Sequence, residues 1–278
     1  MPVRTPVVAN QFYPGDPGQL ARAVDSFLFD PADGRAPDPV WGVMLPHAGY
    51  IYCAKIIGET LSGVALPKTL VVLCPNHTGM GQAFGVWPDG GWDTPLGRVK
   101  VAEELAAALT GAGCGFAPDI HSHLREHSIE VLLPFLQRTT SPLEIVPVCV
   151  GTQDVAALRW AGEGLGRVLR EWRGQGREVG IVVSSDMNHY ENHQRTLQKD
   201  DKALVMIVAC DPEGLLEVVG RESITMCGAA PMAMALFAAR TLGTPVAQFV
   251  GHDTSATASG DATRVVGYAG VRLRMATV

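Results

Sequence analysis

The stretch VWGVMLPHAGY, Val40–Tyr50, decides the fold. Six residues, Val40–Leu45, are apolar or glycine, then Pro46 interrupts, and His47 and Gly49 follow. A run with no polar residue on either face suits a strand covered by helices on both sides of a sheet. Proline cannot donate to a sheet ladder, so the strand ends at Pro46 and His47 stands just beyond it. The same grammar recurs in TLVVLC (69–74), EIVPVCV (144–150) and VGIVVS (179–184), and VAQFV (246–250) and RVVGYAGVRL (264–273) complete the set.

Helix-like segments fall between these runs. DPGQLARAVDSFL offers Asp16 as an N-cap, Pro17 at the first helical position and Gln19 three residues after the cap. VAEELAAALTGAG (101–113) ends in glycine, and further helices are expected near 127–138, 154–173, 197–209, 212–219 and 230–242. Alternating strands and helices predict an α/β fold: one domain over 1–278, with a mostly parallel or mixed central sheet and helices on both faces. FGVWPDGGWDTPLGRV breaks the alternation, and Asp89-Gly90-Gly91 reads as the turn of a hairpin within an antiparallel excursion.

The chain is 47% hydrophobic and 18% charged, with a net charge of -6. That is ample core for its length, and with no basic run nothing favours nucleic acid or an anionic membrane as partner. The most apolar segment, AAPMAMALFAA (229–239), is far short of the roughly 20 residues that span a bilayer. The N-terminus lacks the apolar stretch of a signal peptide, so a cytoplasmic location is the expectation. Six cysteines are scattered without a CxxC pair, which argues against a disulfide framework.

Three strand-like runs deliver histidine just past their carboxyl ends: His47, His77 of PNHTG, and His189 of SDMNHY, the last with Asp186. Ligands of open α/β sheets bind outside those strand ends, so parallel strands would bring these groups together. HSHLREHSIEVLLPFL adds His121, His123, Glu126, His127 and Glu130, and a helix there would set His127 and Glu130 on one face. Cys227 precedes a helix-like segment, where a lowered thiol pKa would favour a thiolate that binds metal or attacks carbon. Neutral imidazoles with one anionic ligand describe a catalytic metal site: iron with a carboxylate; zinc, iron or copper with a cysteine. An uncoordinated histidine would move protons. HExxH, Walker, GxSxG and GxGxxG motifs are all lacking.

Taken in order, LPHAGYIYC, PNHTG, W-DTPLG, EHSIEVLLPFLQ, IVPVCVG, VVSSDMNHY, TMCGAAPM and VVGYAGV resemble the Memo-like family, whose prokaryotic members are called AmmeMemoRadiSam system protein B. The resemblance covers nearly the whole chain. It implies a fold similar to the class III extradiol-type non-haem iron dioxygenases, the LigB-like group. It further implies a divalent metal, iron foremost with zinc or copper as alternatives, held by His47, His77 and Cys227. Asp186 and His189 match the neighbouring catalytic positions, with His189 as the acid/base, and Glu126 and His127 match a motif that lines or braces the pocket. The dioxygenases complete their triad with a carboxylate, whereas this chain offers a thiolate, so ring cleavage does not follow from the fold. The prokaryotic name implies a link to an AMMECR1-type protein and a radical S-adenosylmethionine enzyme. The readings that follow are a metal-dependent redox enzyme or oxygenase, a small-molecule or peptide-binding adaptor, and a hydrolase or transferase with Cys227 as nucleophile.

Overall fold

Every apolar run becomes a strand in the computed structural model, which describes residues 2–29 and 36–276. The domain span expected over 1–278 also takes in residues 1, 30–35 and 277–278, which lie outside the described residues. The chain opens with β1 (Val3–Arg4) and α1 (Pro17–Asp25); the Asp16 side chain caps α1 by accepting from the Gln19 N–H at 2.8 Å. Then come β2 (Asp38–Pro39), β3 (Gly42–Leu45), α2 (Tyr50–Leu61), β4 (Val64–Ala65) and β5 (Thr69–Pro75). The excursion forms β6 (Phe84–Val86), β7 (Gly91–Thr94) and β8 (Gly97–Val101), followed by α3 (Glu103–Gly111), β9 (Ala117–Pro118) and α4 (Leu133–Thr139). The second half runs β10 (Glu144–Val150), α5 (Val155–Gly174), β11 (Gly180–Ser184), β12 (His189–Glu191), α6 (His193–Val208), α7 (Pro212–Arg221), α8 (Ala229–Leu242), β13 (Pro245–Thr254), α9 (Ala256–Ser259) and β14 (Val265–Met275).

Twelve of these strands join in one mixed sheet with the central order β10-β5-β11-β3-β14. The first four run parallel, and β14 closes against β3 in the antiparallel sense. Register is what matters for function. Ser184 lies beside Leu45, Val183 beside Leu73, and Cys74 beside Cys149, so the parallel strands end nearly level. His47, His77 and Asp186 follow those ends by a few residues each and therefore emerge along one edge of the sheet. Helices cover both faces. α2 packs on β3, β13 and β14, while α8 packs on β5 and β11 and α5 lies against α8. The α5–α8 contact is close because Gly162 has no Cβ; one there would stand 2.7 Å from the Met234 carbonyl oxygen.

Three local expectations are corrected. The hairpin turn joins β7 to β8 through Pro95-Leu96, where Thr94 Oγ1 accepts from the Leu96 N–H at 3.1 Å and Gly97 takes φ +114°, whereas Asp89-Gly90-Gly91 only leads into β7. The helix expected at 127–138 begins at Leu133, with Pro134 in its first turn; residues before it form turns, in which the buried Glu126 carboxylate accepts from the Ser128 N–H. His127 and Glu130 therefore do not share a helix face. α6 starts earlier than expected because Asn192 caps it, its side chain accepting from the Arg195 N–H at 2.9 Å.

Candidate metal centre

His47 is buried at 2% exposure, and its ring is fixed at both nitrogens. Nδ1 lies 2.7 Å from Ser184 Oγ, and that hydroxyl donates its single proton to the Ser128 carbonyl oxygen at 2.7 Å. Nδ1 must then be the donor to Ser184, which leaves Nε2 with a lone pair. Nε2 faces Cys227 Sγ at 3.4 Å. Burial, then the nearby charges of His127 and His77, holds the His47 pKa well below its usual value, so the ring is neutral. Its backbone N–H donates to Asp186 Oδ1 at 2.8 Å, tying the first loop to the third.

His77 is oriented by the same logic from a different partner. Its backbone N–H donates to Glu126 Oε2 at 2.7 Å, and Nδ1 meets Oε1 at 2.9 Å. Glu126 is fully buried and also accepts from the Ser128 N–H and hydroxyl. Burial opposes its charge, but the His77 hydrogen bond and the other donors win and lower its pKa to about 2. An ionised carboxylate only accepts, so His77 carries its proton on Nδ1 and a lone pair on Nε2 when neutral. Burial likewise opposes the His77 cation, and Glu126 and Asp186 outweigh it to leave the pKa raised.

Cys227 completes the group. Among the described residues, ligand atoms of His47, His77 and Cys227 all lie within 4.8 Å of one another. Its loop presses on the β11 end so closely that a Cβ on Gly228 would collide with Ser185. The Asp186 N–H donates to Sγ at 3.2 Å. The expected low thiol pKa is not found: burial and the Asp186 carboxylate push it up. Asp186, its pKa itself raised by burial, is the one carboxylate among the described residues that line a cavity of about 490 Å³ beside the group. With two imidazole lone pairs and a sulfur converging, the donor set fits a borderline transition-metal ion.

His189 and His127 face the same cavity from outside the trio. His189 sits at a register shift in β12, where Tyr190 takes φ +63°, and such a bulge re-aims a side chain. Its Nδ1 donates to the Thr225 carbonyl oxygen at 2.8 Å, so Nε2 is the acceptor of the neutral ring. His127 stacks on His77 at 5.0 Å and meets the Phe12 ring edge-on at 5.1 Å. Packing holds that ring; its Nδ1 is 3.6 Å from Glu126 Oε1, too long for a hydrogen bond. His77, Glu126 and His127 form a second metal-sized group, but Glu126 is saturated with donors and serves as a brace. A larger groove of about 540 Å³ between α3 and α5 is lined by Glu104, Arg167 and Glu171 and contains none of these side chains.

Seven of the residues singled out from the sequence thus gather in one place: His47, His77, Asp186, His189 and His127 line the cavity, with Cys227 against His47 and Glu126 behind His77. His123 does not join them; it is buried, donates Nε2–H to the Gly85 carbonyl oxygen at 3.0 Å, and burial drives its pKa to about 4. Glu130 binds Arg4 instead, and His121 is exposed. Sequence reasoning missed Ser184, Ser128 and Thr225, which set the imidazole protons, and Gln11 and Phe12, which reach the cavity from the N-terminal segment. Ser128 adjoins His127; nothing in the sequence marks the others.

The family model described as Memo-like protein matches residues 4–272. A MEMO1 family protein of Methanopyrus kandleri is 38% identical over 283 residues, spanning 98% of this chain and 99% of the relative. One from Thermotoga neapolitana is 39% identical over 278 residues, covering 96% and 98%, and one from Sulfurisphaera tokodaii is 35% identical over 283 residues, covering 97% and 99%.

Proposed function

The chain belongs to the Memo-like family, and from that premise we propose that it is a metal-dependent redox enzyme acting on a small molecule. In this reading His47 Nε2, His77 Nε2 and Cys227 Sγ hold a divalent ion, iron foremost with zinc or copper as alternatives. The observation that carries it is proton placement. Both imidazoles have their Nδ1 protons committed to buried acceptors, which leaves each Nε2 a free lone pair, and ligand atoms of the two rings and the thiol lie within 4.8 Å of one another. A bound iron ion would supply Lewis acidity and one-electron redox chemistry. The protein supplies the rest: His189 Nε2 accepts a proton from a ligand in the cavity, and Asp186 holds the His47 loop in place.

Among the described residues, the cavity lining contains no lysine or arginine, which supports an uncharged ligand over a phosphorylated or nucleic-acid one. A Cys227 nucleophile has less support, because the elevated thiol pKa leaves little thiolate without a cation beside it. The adaptor reading draws support from Ile51 and Tyr190, which line the mouth while 76% and 64% exposed.

Metal analysis of anaerobically purified protein tests the proposal. Wild type is expected to contain about one transition-metal ion per chain, and the His47→Ala/Cys227→Ala variant less than a tenth of that. Full metal content in the double variant contradicts the assignment.

A further inference from the structure

Asn188 precedes His189 and is wholly buried. Its backbone is pinned on two sides: the N–H donates to Asp200 Oδ1 at 2.8 Å and the carbonyl accepts from the Gly267 N–H at 2.9 Å. Its side-chain oxygen accepts from both the N–H and the hydroxyl of Thr225 at 3.1 Å. Its side-chain nitrogen donates to Glu191 Oε2 at 2.8 Å, and Lys199 holds that carboxylate at 2.9 Å. The amide orientation is therefore unambiguous, since Glu191 only accepts and the Thr225 N–H only donates.

Thr225 in turn grips His189 twice. Its hydroxyl accepts from the His189 N–H at 2.7 Å, and its carbonyl oxygen takes the Nδ1 proton at 2.8 Å. One buried amide thus stands behind the group that selects which ring nitrogen carries hydrogen. Thr225 also lies two residues before Cys227, so the same amide anchors the loop bearing the thiol.

Building on the reading of His189 as proton acceptor, we propose that Asn188 is a positioning residue. Through Thr225 it holds neutral His189 as the Nδ1–H tautomer, with the Nε2 lone pair turned to the cavity. Without the amide, the Thr225 carbonyl is free to rotate away and the ring loses the partner that fixes its proton. Loss of one ordinary hydrogen bond moves such a ratio by about two- to tenfold.

The test is long-range proton–nitrogen NMR on metal-free, nitrogen-15 histidine-labelled full chain at pH 8, with His189→Gln used to assign the signal. Wild type is expected to show Nδ1 protonated and Nε2 bare. Asn188→Ala should lower the Nδ1–H to Nε2–H ratio about two- to tenfold, and Asn188→Asp/Glu191→Gln, which keeps an acceptor facing Thr225 and supplies the other oxygen with a donor at position 191, should restore it. Thr225→Val, which removes the hydroxyl contacts to Asn188 and the His189 N–H but keeps the carbonyl, should move the ratio the same way and serves if Asn188→Ala does not fold. A lower melting temperature with an unmoved tautomer overturns the proposal. Failure of wild type to take up metal while the tautomer shifts as described defeats the metal assignment and upholds the role of Asn188.

Discussion

Two glutamates four residues apart, Glu126 and Glu130, do different work with the same chemistry. Both are fully buried, and each accepts hydrogen bonds from four donors. Glu126 spends its oxygens on His77 and Ser128, orienting an imidazole and, through the Ser128 carbonyl, the hydroxyl beneath His47. Glu130 takes Arg4 at 2.7 Å, the Tyr13 hydroxyl at 2.7 Å, and the backbone N–H groups of Val7 and Val8. It fastens the N-terminal segment that brings Phe12 against His127. A buried carboxylate in this short segment is thus a site brace or a fold clamp according to who donates to it. Arg4 spans both, donating to Glu130 and to the Glu126 carbonyl oxygen.

The sharpest way to break the comparison is Glu130→Ala. It strands a buried guanidinium and should cost about 3–5 kcal/mol in denaturant unfolding, with metal content per folded chain unchanged. Arg4→Met/Glu130→Leu should recover only part of that loss: it removes the unpaired charge but leaves the Tyr13 hydroxyl and the Val7 and Val8 N–H groups without their acceptor.

Acid titration separates the segment's groups next. His123 is kept neutral by burial, with a pKa near 4 against a usual 6.5, so the unfolded chain binds its proton first as pH falls. Its contribution is complete above pH 6.5, and about 3 kcal/mol is lost on falling to pH 4. His123→Leu should flatten that window in metal-free protein. Glu126 acts lower: its contribution is complete above pH 4.5 and is lost as pH falls toward 2. His123 and Glu126 therefore govern different parts of one stability curve.

Glu126→Gln should cost less in stability than Glu130→Ala and weaken metal binding about 10–100-fold, read by competition with a chelator. The smallest expected effect is that of Ser184→Ala, which removes the acceptor of the His47 Nδ1 proton and should weaken binding about tenfold in the same assay. Equal loss of metal binding in Glu130→Ala and Glu126→Gln, at matched folded fraction, would erase the distinction between brace and clamp.

The legible part of this molecule is the part written in long apolar runs. Val43–Leu45, Leu70–Cys74 and Ile181–Val183 allow little besides buried strands, and their ends announced His47, His77 and His189. Near 126–132 the same reasoning misled, because Ile129, Val131 and Leu132 have helical spacing yet are buried within turns. There the buried Glu126 carboxylate takes the Ser128 N–H, and Glu130 reaches across to the Val7 and Val8 N–H groups of the N-terminal segment. Ser184 and Thr225 were illegible for a different reason. A hydroxyl orients an imidazole only by where the fold sets it, and its neighbours in sequence do not say. The thiol shows the same gap: its place before α8 suggested a low pKa, while the depth of burial and the nearness of Asp186 decide the opposite.

The most direct test of the metal centre is an anomalous-difference map from crystals of anaerobically purified protein, collected above and below the iron and zinc edges. A peak bounded by His47 Nε2, His77 Nε2 and Cys227 Sγ, changing at one edge, is the predicted result. Metal-replete crystals with no peak there, or with the peak at another group, would contradict it.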